Sequence, residues 1–287
     1  MKTKIECIPC IMKQAYNTAS RATKDTDIIR KIMNLTADYV KELNLDQAPA
    51  DSSYYVYRIT REITGIDDPY CAEKKLFNDF CLSLIPELRI KIDTSEDPLY
   101  AAIKAAIAGN LIDLGIGHTL DIKSNLNTLL EDTFAVDDYR AFKSLLDSGR
   151  KKILYLGDNA GEIVFDRLFI EKLAHQHDVV FVVKQGPIIN DATMEDARYV
   201  GMSELVKVID TGSDGIGVKW DSVSEEFMKH YRSADIIISK GQGNFETMSD
   251  KPEIVFFLLR AKCECVAREL GVKYGDIVFK KGPINNR

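Results

Sequence analysis

Lys152-Ile153-Leu154-Tyr155-Leu156-Gly157-Asp158-Asn159-Ala160-Gly161-Glu162 is the stretch on which the fold turns. A short apolar run stops at a glycine. An acid, an amide and a second glycine follow, and the chain then reads as helix. That is the pattern of a strand buried on both faces feeding a helix. The pattern recurs downstream. Val179-Val180-Phe181-Val182-Val183 ends at Lys184-Gln185-Gly186-Pro187, with Asn190-Asp191 close behind. Leu205-Val206-Lys207-Val208-Ile209 ends at Asp210-Thr211-Gly212-Ser213. Asp235-Ile236-Ile237-Ile238-Ser239 ends at Lys240-Gly241-Gln242-Gly243-Asn244-Phe245-Glu246, and Asp276-Ile277-Val278-Phe279 closes the set. Residues 161–173, 194–199, 223–231 and 253–270 read as the intervening helices. Together they predict an α/β protein, a three-layer α/β/α sandwich with a mainly parallel sheet.

Upstream the periodicity is helical. Residues 8–18, 27–43 and 52–64 carry apolar positions at spacings of three and four. Asp97-Pro98 opens a further helix as an acid at the N-cap followed by proline in the first turn. Residues 137–146 read as one more. The expected organisation is a mainly helical cap region over 1–148 and an α/β metal- and phosphate-binding catalytic region over 149–287. At 287 residues the chain can bury a sizeable core without disulfides.

Lysine and arginine total 38 against 44 aspartates and glutamates, a formal net charge of −6. That balance argues against a protein that neutralises nucleic-acid phosphates over a broad basic face. No apolar run approaches the ~18–20 residues of a membrane span. The first residues, Met1-Lys2-Thr3-Lys4-Ile5-Glu6-Cys7, hold no apolar stretch of signal-peptide length. A cytoplasmic protein is expected, a small anionic ligand held by a metal or a few lysines stays open, and nothing in the chain sets its oligomeric state.

Ligands of an open α/β sheet bind beyond the carboxyl ends of its strands. Asp158, Asn159 and Asp191 offer oxygen donors there, with no thiolate or imidazole among them. Such a set suits a hard divalent cation such as Mg²⁺ or Mn²⁺. Gly157, Gly161, Gly241 and Gly243 would let backbone N–H groups approach an anion, and Lys240 could meet a phosphate as a point charge. The same acids could instead be helix caps. There is no P-loop, and no dinucleotide fingerprint follows the first strand. His118, His175, His177 and His230 share no ligand spacing. Of the six cysteines, Cys7 and Cys10 lie near one end, and Cys263 and Cys265 near the other. They read as a soft-metal or redox group if they meet, and as small packed residues if they do not.

These motifs resemble the damage-control phosphatase family, also called domain of unknown function 89. The resemblance runs through the 157–162 stretch, Asn190-Asp191-Ala192-Thr193, the 240–246 stretch and Lys262-Cys263. In the helical half it takes in Asp68-Pro69-Tyr70, Lys74, Asn78, Gly109-Asn110 and Asp113. The cysteine pairs are similar to those of an archaeal and bacterial subgroup. What the resemblance implies is a metal-dependent phosphatase of phosphorylated metabolites, damaged ones included, using Mn²⁺, Mg²⁺, Co²⁺ or Ni²⁺. The family's metal ligands fall on Asp158, Asn159 and Asp191. Its substrate contacts fall on Glu162, Lys240, Gly241, Gly243, Asn244 and Lys262. An Arg-Thr-x-Lys motif of the eukaryotic branch survives only as Lys262, so that branch's substrates do not carry over. A non-catalytic sensor of phosphometabolites or nucleotides, signalling through the cysteines, is the alternative.

Overall fold

The structure, a computed structural model, describes residues 1–112, 130–131 and 133–282. Asp113 and the side chain of Asn110 lie outside the described residues. Among the described residues the chain opens with helices α1 (Cys7–Ala22), α2 (Thr26–Lys41), α3 (Pro49–Thr64), α4 (Cys71–Asp93) and α5 (Pro98–Ile112). After them come β1 (Val136–Asp137), α6 (Tyr139–Asp147), β2 (Lys152–Leu156), α7 (Glu162–Ala174), β3 (Asp178–Val183), α8 (Met194–Tyr199), α9 (Met202–Leu205) and β4 (Lys207–Asp210). The chain continues with α10 (Glu225–Ser233), β5 (Ile236–Lys240), α11 (Gly241–Met248), β6 (Val255–Arg260), α12 (Glu264–Leu270) and β7 (Ile277–Lys281).

The strands form one sheet of order β1-β7-β6-β5-β2-β3-β4. Every neighbouring pair is parallel except β6 with β7. Side chains alternate between the faces of a strand, and the two cores follow that rule. Ile153 and Tyr155 of β2 join Phe181, Ile238, Phe256 and the helices α4–α7 on one face. Leu154 and Leu156 join Ile237, Phe257 and helices α10–α12 on the other. The three-layer α/β/α sandwich is therefore formed.

Two expectations change in detail. Residues 253–270 were expected as one helix; instead β6 and α12 divide them. Val255-Phe256-Phe257-Leu258-Leu259 is apolar at every position, and a short run of that kind has no period to separate strand from helix. The packing also does not divide at residue 148. Cys81, Leu84, Leu88 and the small residues Ala102, Ala105 and Ala106 share the core of the sheet. Helices α4–α6 thus form part of a covering layer. Only α1–α3 build an apolar cluster of their own, through Ile11, Ala15, Val56 and Tyr57, closed from below by Ile188 and Ile216. Those last two residues lie on loops at the carboxyl edge of the sheet, so α1–α3 stand over that edge. No described helix is long and apolar enough to cross a membrane.

Candidate active site

Strand order places the site. From β2 the chain moves to β3 and β4 on one side, then returns to set β5 on the other side of β2. The carboxyl ends of β2 and β5 flank the point of reversal, where a crevice opens in this class of sheet. Asp158 leaves β2 there, and Gly241 leaves β5.

The loops after β2 and β3 are zipped together. Ala192 N–H donates to Asp158 O at 2.8 Å and Ala160 N–H donates to Asn190 O at 2.8 Å. Asn159 and Asp191 pair between them as an isolated antiparallel bridge. The three expected metal ligands are thereby brought to one spot. Asn159 and Asp191 are buried, and Asp158 keeps some open surface. The carboxylate of Asp158 lies against the first residue of α11. A Cβ on Gly241 would stand 1.8 Å from Asp158 Oδ2, and Gly241 has a φ of +74°. No residue with a side chain fits that position. The Asp158 carboxyl is held well above the usual carboxylate range, first by burial and then by the charges of Glu162 and Asp191; Lys262 and Lys184 pull it back down.

Asn159 has a defined orientation. Its Nδ2 donates to Glu162 Oε1 at 2.8 Å and to Asp158 Oδ2 at 3.2 Å. With carboxylates on both sides, the amide nitrogen must face them, so its carbonyl oxygen is turned away as a potential ligand. Glu162 stands behind Asn159 as its support. Oxygen donors of this kind fit a hard cation. Among the described residues no three His, Cys, Asp or Glu side chains converge as a metal-holding group. The candidate set here is two carboxylates and an amide.

Lys240 does not stand where a phosphate could meet it. It is wholly buried, and its Nζ donates to Asp166 Oδ1 at 2.6 Å and Ala106 O at 2.9 Å, with Glu162 Oε2 at 3.5 Å. Those contacts match the three donors of an ammonium group. Tyr155 Oη donates to the same Asp166 oxygen at 2.7 Å. Lys240 is therefore a strut beneath the site. Lys240 caps helix α11, which the glycine-rich stretch after it forms. Asn244 is likewise engaged within the fold. Asn244 Nδ2 donates to Gly157 O at 3.0 Å and Lys240 O at 2.8 Å, clasping the ends of β2 and β5. Gly243 packs on the neighbouring loop, where a Cβ would lie 2.8 Å from Ile216 Cγ2. Asn244→Ala is expected to lower stability by about 1–3 kcal/mol, the cost of leaving buried carbonyls unpaired. Urea unfolding would measure it, and a wild-type midpoint would remove the clasp.

Residues of the helical half reach the site from the side. Asn78 Oδ1 accepts the Gly161 N–H at 2.7 Å, and Asn78 Nδ2 donates to Asp196 at 3.0 Å. Lys74 bridges Asp196 at 2.9 Å and Asp68 at 3.3 Å. A cleft of about 550 Å³ opens here, lined by Lys74, Asn78, Gln185, Thr193 and Arg198 beside the loop that carries Asp191. Sequence reasoning quoted Lys184 at the exit of β3 without assigning it to the site. The structure buries it within 3.7 Å of Asp191 Oδ2.

The cysteines divide. All six are free thiols. Cys7 lies close enough to Cys265 and Cys263 for their charges to reinforce the effect of burial, which pushes its thiol up to about 11. Cys10 is exposed and accepts from Gln14 Nε2 at 3.4 Å. The expected four-cysteine metal group is not formed among the described residues. Glu246 adjoins the thiols. Burial pushes its carboxyl up from 4.5 to about 7, against a hydrogen bond from Gln242. Between those values the folded state keeps a proton that the unfolded chain has lost. Its contribution is full below the unfolded value and is lost as pH rises through the folded one. Glu246→Gln should therefore flatten the fall in thermal midpoint from about pH 4.5 to pH 7. A slope equal to wild type would reject this role.

Fold and site together define an α/β protein with an oxygen-donor pocket at the switch point of a parallel sheet, flanked by lysines. The chain belongs to the damage-control phosphatase family: residues 3–278 match the damage-control phosphatase ARMT1-like domain. It is 38% identical to a damage-control phosphatase from Pyrococcus horikoshii, over 97% of each chain. It is 33% identical to another from Archaeoglobus fulgidus, over 98% of this chain and 99% of that one. An uncharacterized protein of Methanocaldococcus jannaschii is 38% identical, over 98% of this chain and 96% of that one. The crystal structure of a DUF89 family protein from P. horikoshii superposes with a TM-score of 0.89 at 36% identity, covering 98% of this chain and 99% of that one.

Proposed function

We propose that the protein is a divalent-metal-dependent phosphatase. Its substrates are phosphate monoesters of small metabolites: sugar phosphates, nucleotides or damaged phosphometabolites. The observation that carries this reading is the meeting of Asp158, Asn159 and Asp191 across one bridge at the switch point. Family membership and the names of the relatives support it.

Asp158, Asn159 and Asp191 would hold Mn²⁺, Mg²⁺, Co²⁺ or Ni²⁺. When bound, such an ion polarises a phosphoryl oxygen and offsets the charge of the leaving group. The rest falls to the chain. Lys262, whose charge reaches Asp158, would stabilise the transferring phosphoryl group. The cleft beside Asp191 would receive the remainder of the metabolite. Either Asp158 attacks phosphorus, the ester P–O bond breaks to release the metabolite's alcohol, and water then hydrolyses the aspartyl-phosphate, or Asp191 takes a proton from a water that attacks phosphorus and displaces the alcohol directly. Trapping a phosphoenzyme separates these two routes.

The deciding experiment is hydrolysis of p-nitrophenyl phosphate by protein stripped with EDTA and then reloaded. Turnover that returns only with the divalent ion is expected. Tight binding of a phosphometabolite without turnover would favour the sensor and overturn the enzyme.

A further inference from the structure

We propose that Lys184 is the resident counter-cation of the Asp158–Asp191 carboxylate pair, holding it while the metal is absent and turning to the substrate phosphate once the metal is seated. The inference rests on the function proposed above and adds a residue to it.

Lys184 follows β3 directly, on the exit whose loop brings Asp191. It is 2% exposed. Its Nζ donates to Gly217 O, and the same nitrogen lies 3.7 Å from Asp191 Oδ2. Burial works against its positive charge, and the carboxylates of Asp191 and Asp158 oppose that effect. A buried ammonium persists where carboxylates balance it, and buried carboxylates need the ammonium in turn. A divalent ion between Asp158 and Asp191 would bring two positive charges to the place that one now serves. The ammonium would then be repelled from the pair.

The acceptor of the ammonium is itself held in place. Gly217 has a φ of +64°, and a Cβ there would stand 2.3 Å from Gly243 O. The acceptor of Lys184 is thus wedged against α11, the helix whose first residue carries the Asp158 carboxylate. Held between Gly217 O and Asp191, the ammonium would need only to rotate on its flexible stem to give one of its three donors to a phosphate oxygen beside the same ion. Lys240 cannot do this, because its partners Asp166 and Ala106 lie beneath the sheet edge.

Two variants test the proposal, Lys184→Gln and Lys184→Arg. Glutamine keeps a donor for Gly217 O and removes the charge. Mn²⁺ is titrated calorimetrically into metal-free protein, and inorganic phosphate is then titrated into the Mn²⁺-loaded form. Lys184→Gln is expected to bind Mn²⁺ about tenfold more tightly than wild type, since one repelling charge is gone. Its affinity for phosphate should fall about tenfold, the loss of a charge-assisted contact. Lys184→Arg should stay near wild type in both. The metal-free thermal midpoint should fall in Lys184→Gln and recover in the double variant Lys184→Gln/Asp191→Asn. Equal or weaker Mn²⁺ binding, unchanged phosphate binding, or a double variant no more stable than the single one would each overturn the proposal. A wild-type protein that binds no Mn²⁺ is a different failure: it would remove the metal site itself, before any variant is made.

Discussion

Lys240→Met is expected to cost about 3–5 kcal/mol of stability, the penalty for stripping the partner from a buried charge. The ammonium of Lys240 faces the Asp166 carboxylate at 2.6 Å, and both residues are fully buried. Removing it takes the neighbouring cation away from the buried carboxylates of Asp166 and Glu162. Small globular proteins are stable by only about 5–15 kcal/mol, so the variant should stand near the edge of folding. Guanidinium unfolding measures the loss. Asp166→Asn combined with Lys240→Met should return part of it, because the stranded charge is then gone. A lysine that met substrate at an open surface would behave otherwise, losing substrate affinity with little loss of stability. A Lys240→Met protein that unfolds at the wild-type midpoint would instead favour a substrate role for Lys240.

Asp158→Asn should lower turnover at least about a thousandfold, since it removes a charge needed in the transition state. Asp191→Asn should act alike. The effect on the metal-free protein has the opposite sign. Asp158 is crowded by Glu162 and Asp191, so losing its charge relieves repulsion, and the metal-free thermal midpoint should hold or rise. Mn²⁺ is expected to raise the thermal midpoint of wild type and to leave that of the variant unchanged. Full activity in either variant, or an undiminished rise with Mn²⁺, would refute the ligand assignment.

Much of this arrangement can be read from the chain. The exits of β2 and β3 are legible because glycine, acid and amide follow an apolar run in each case. Strands parallel and adjacent in a sheet bring such exits together. Lys240 shows what a motif conceals. Within β5, residues two apart share a face, so Lys240 lies with Ile236 and Ile238, which pack toward α5 and α7. The alternation that identified the strand also points its last lysine into the helical layer, away from the edge. Asn244 was misplaced for a related reason. A glycine-rich stretch reads as a phosphate loop, yet this one begins a helix whose first turn is occupied in joining two strand ends. Lys184 left no signal that set it apart from other lysines at strand exits; its burial comes from the loop of Gly217, distant in the chain. The subdivision of the helical half was also beyond the sequence. Amphipathic helices show that they bury a face, and not which partner buries it.

The position of β5 against β2 governs the order in which the molecule can be assembled. Strand β2 can pair with β3 as soon as one helix has formed between them. Its other edge waits for a strand much farther along, with Lys152 N–H finding its acceptor on Asp235 at a separation of 83 residues. Contacts that close such long loops form late, because chain entropy is lost before they repay it. During synthesis the open edge of β2, apolar on both faces, would be exposed until β5 and α11 arrive. Gly241 comes with them, and until then the Asp158 carboxylate lacks the helix terminus it lies against. Pulse-labelled hydrogen exchange should accordingly find the β2–β3 amides protected ahead of those between β2 and β5.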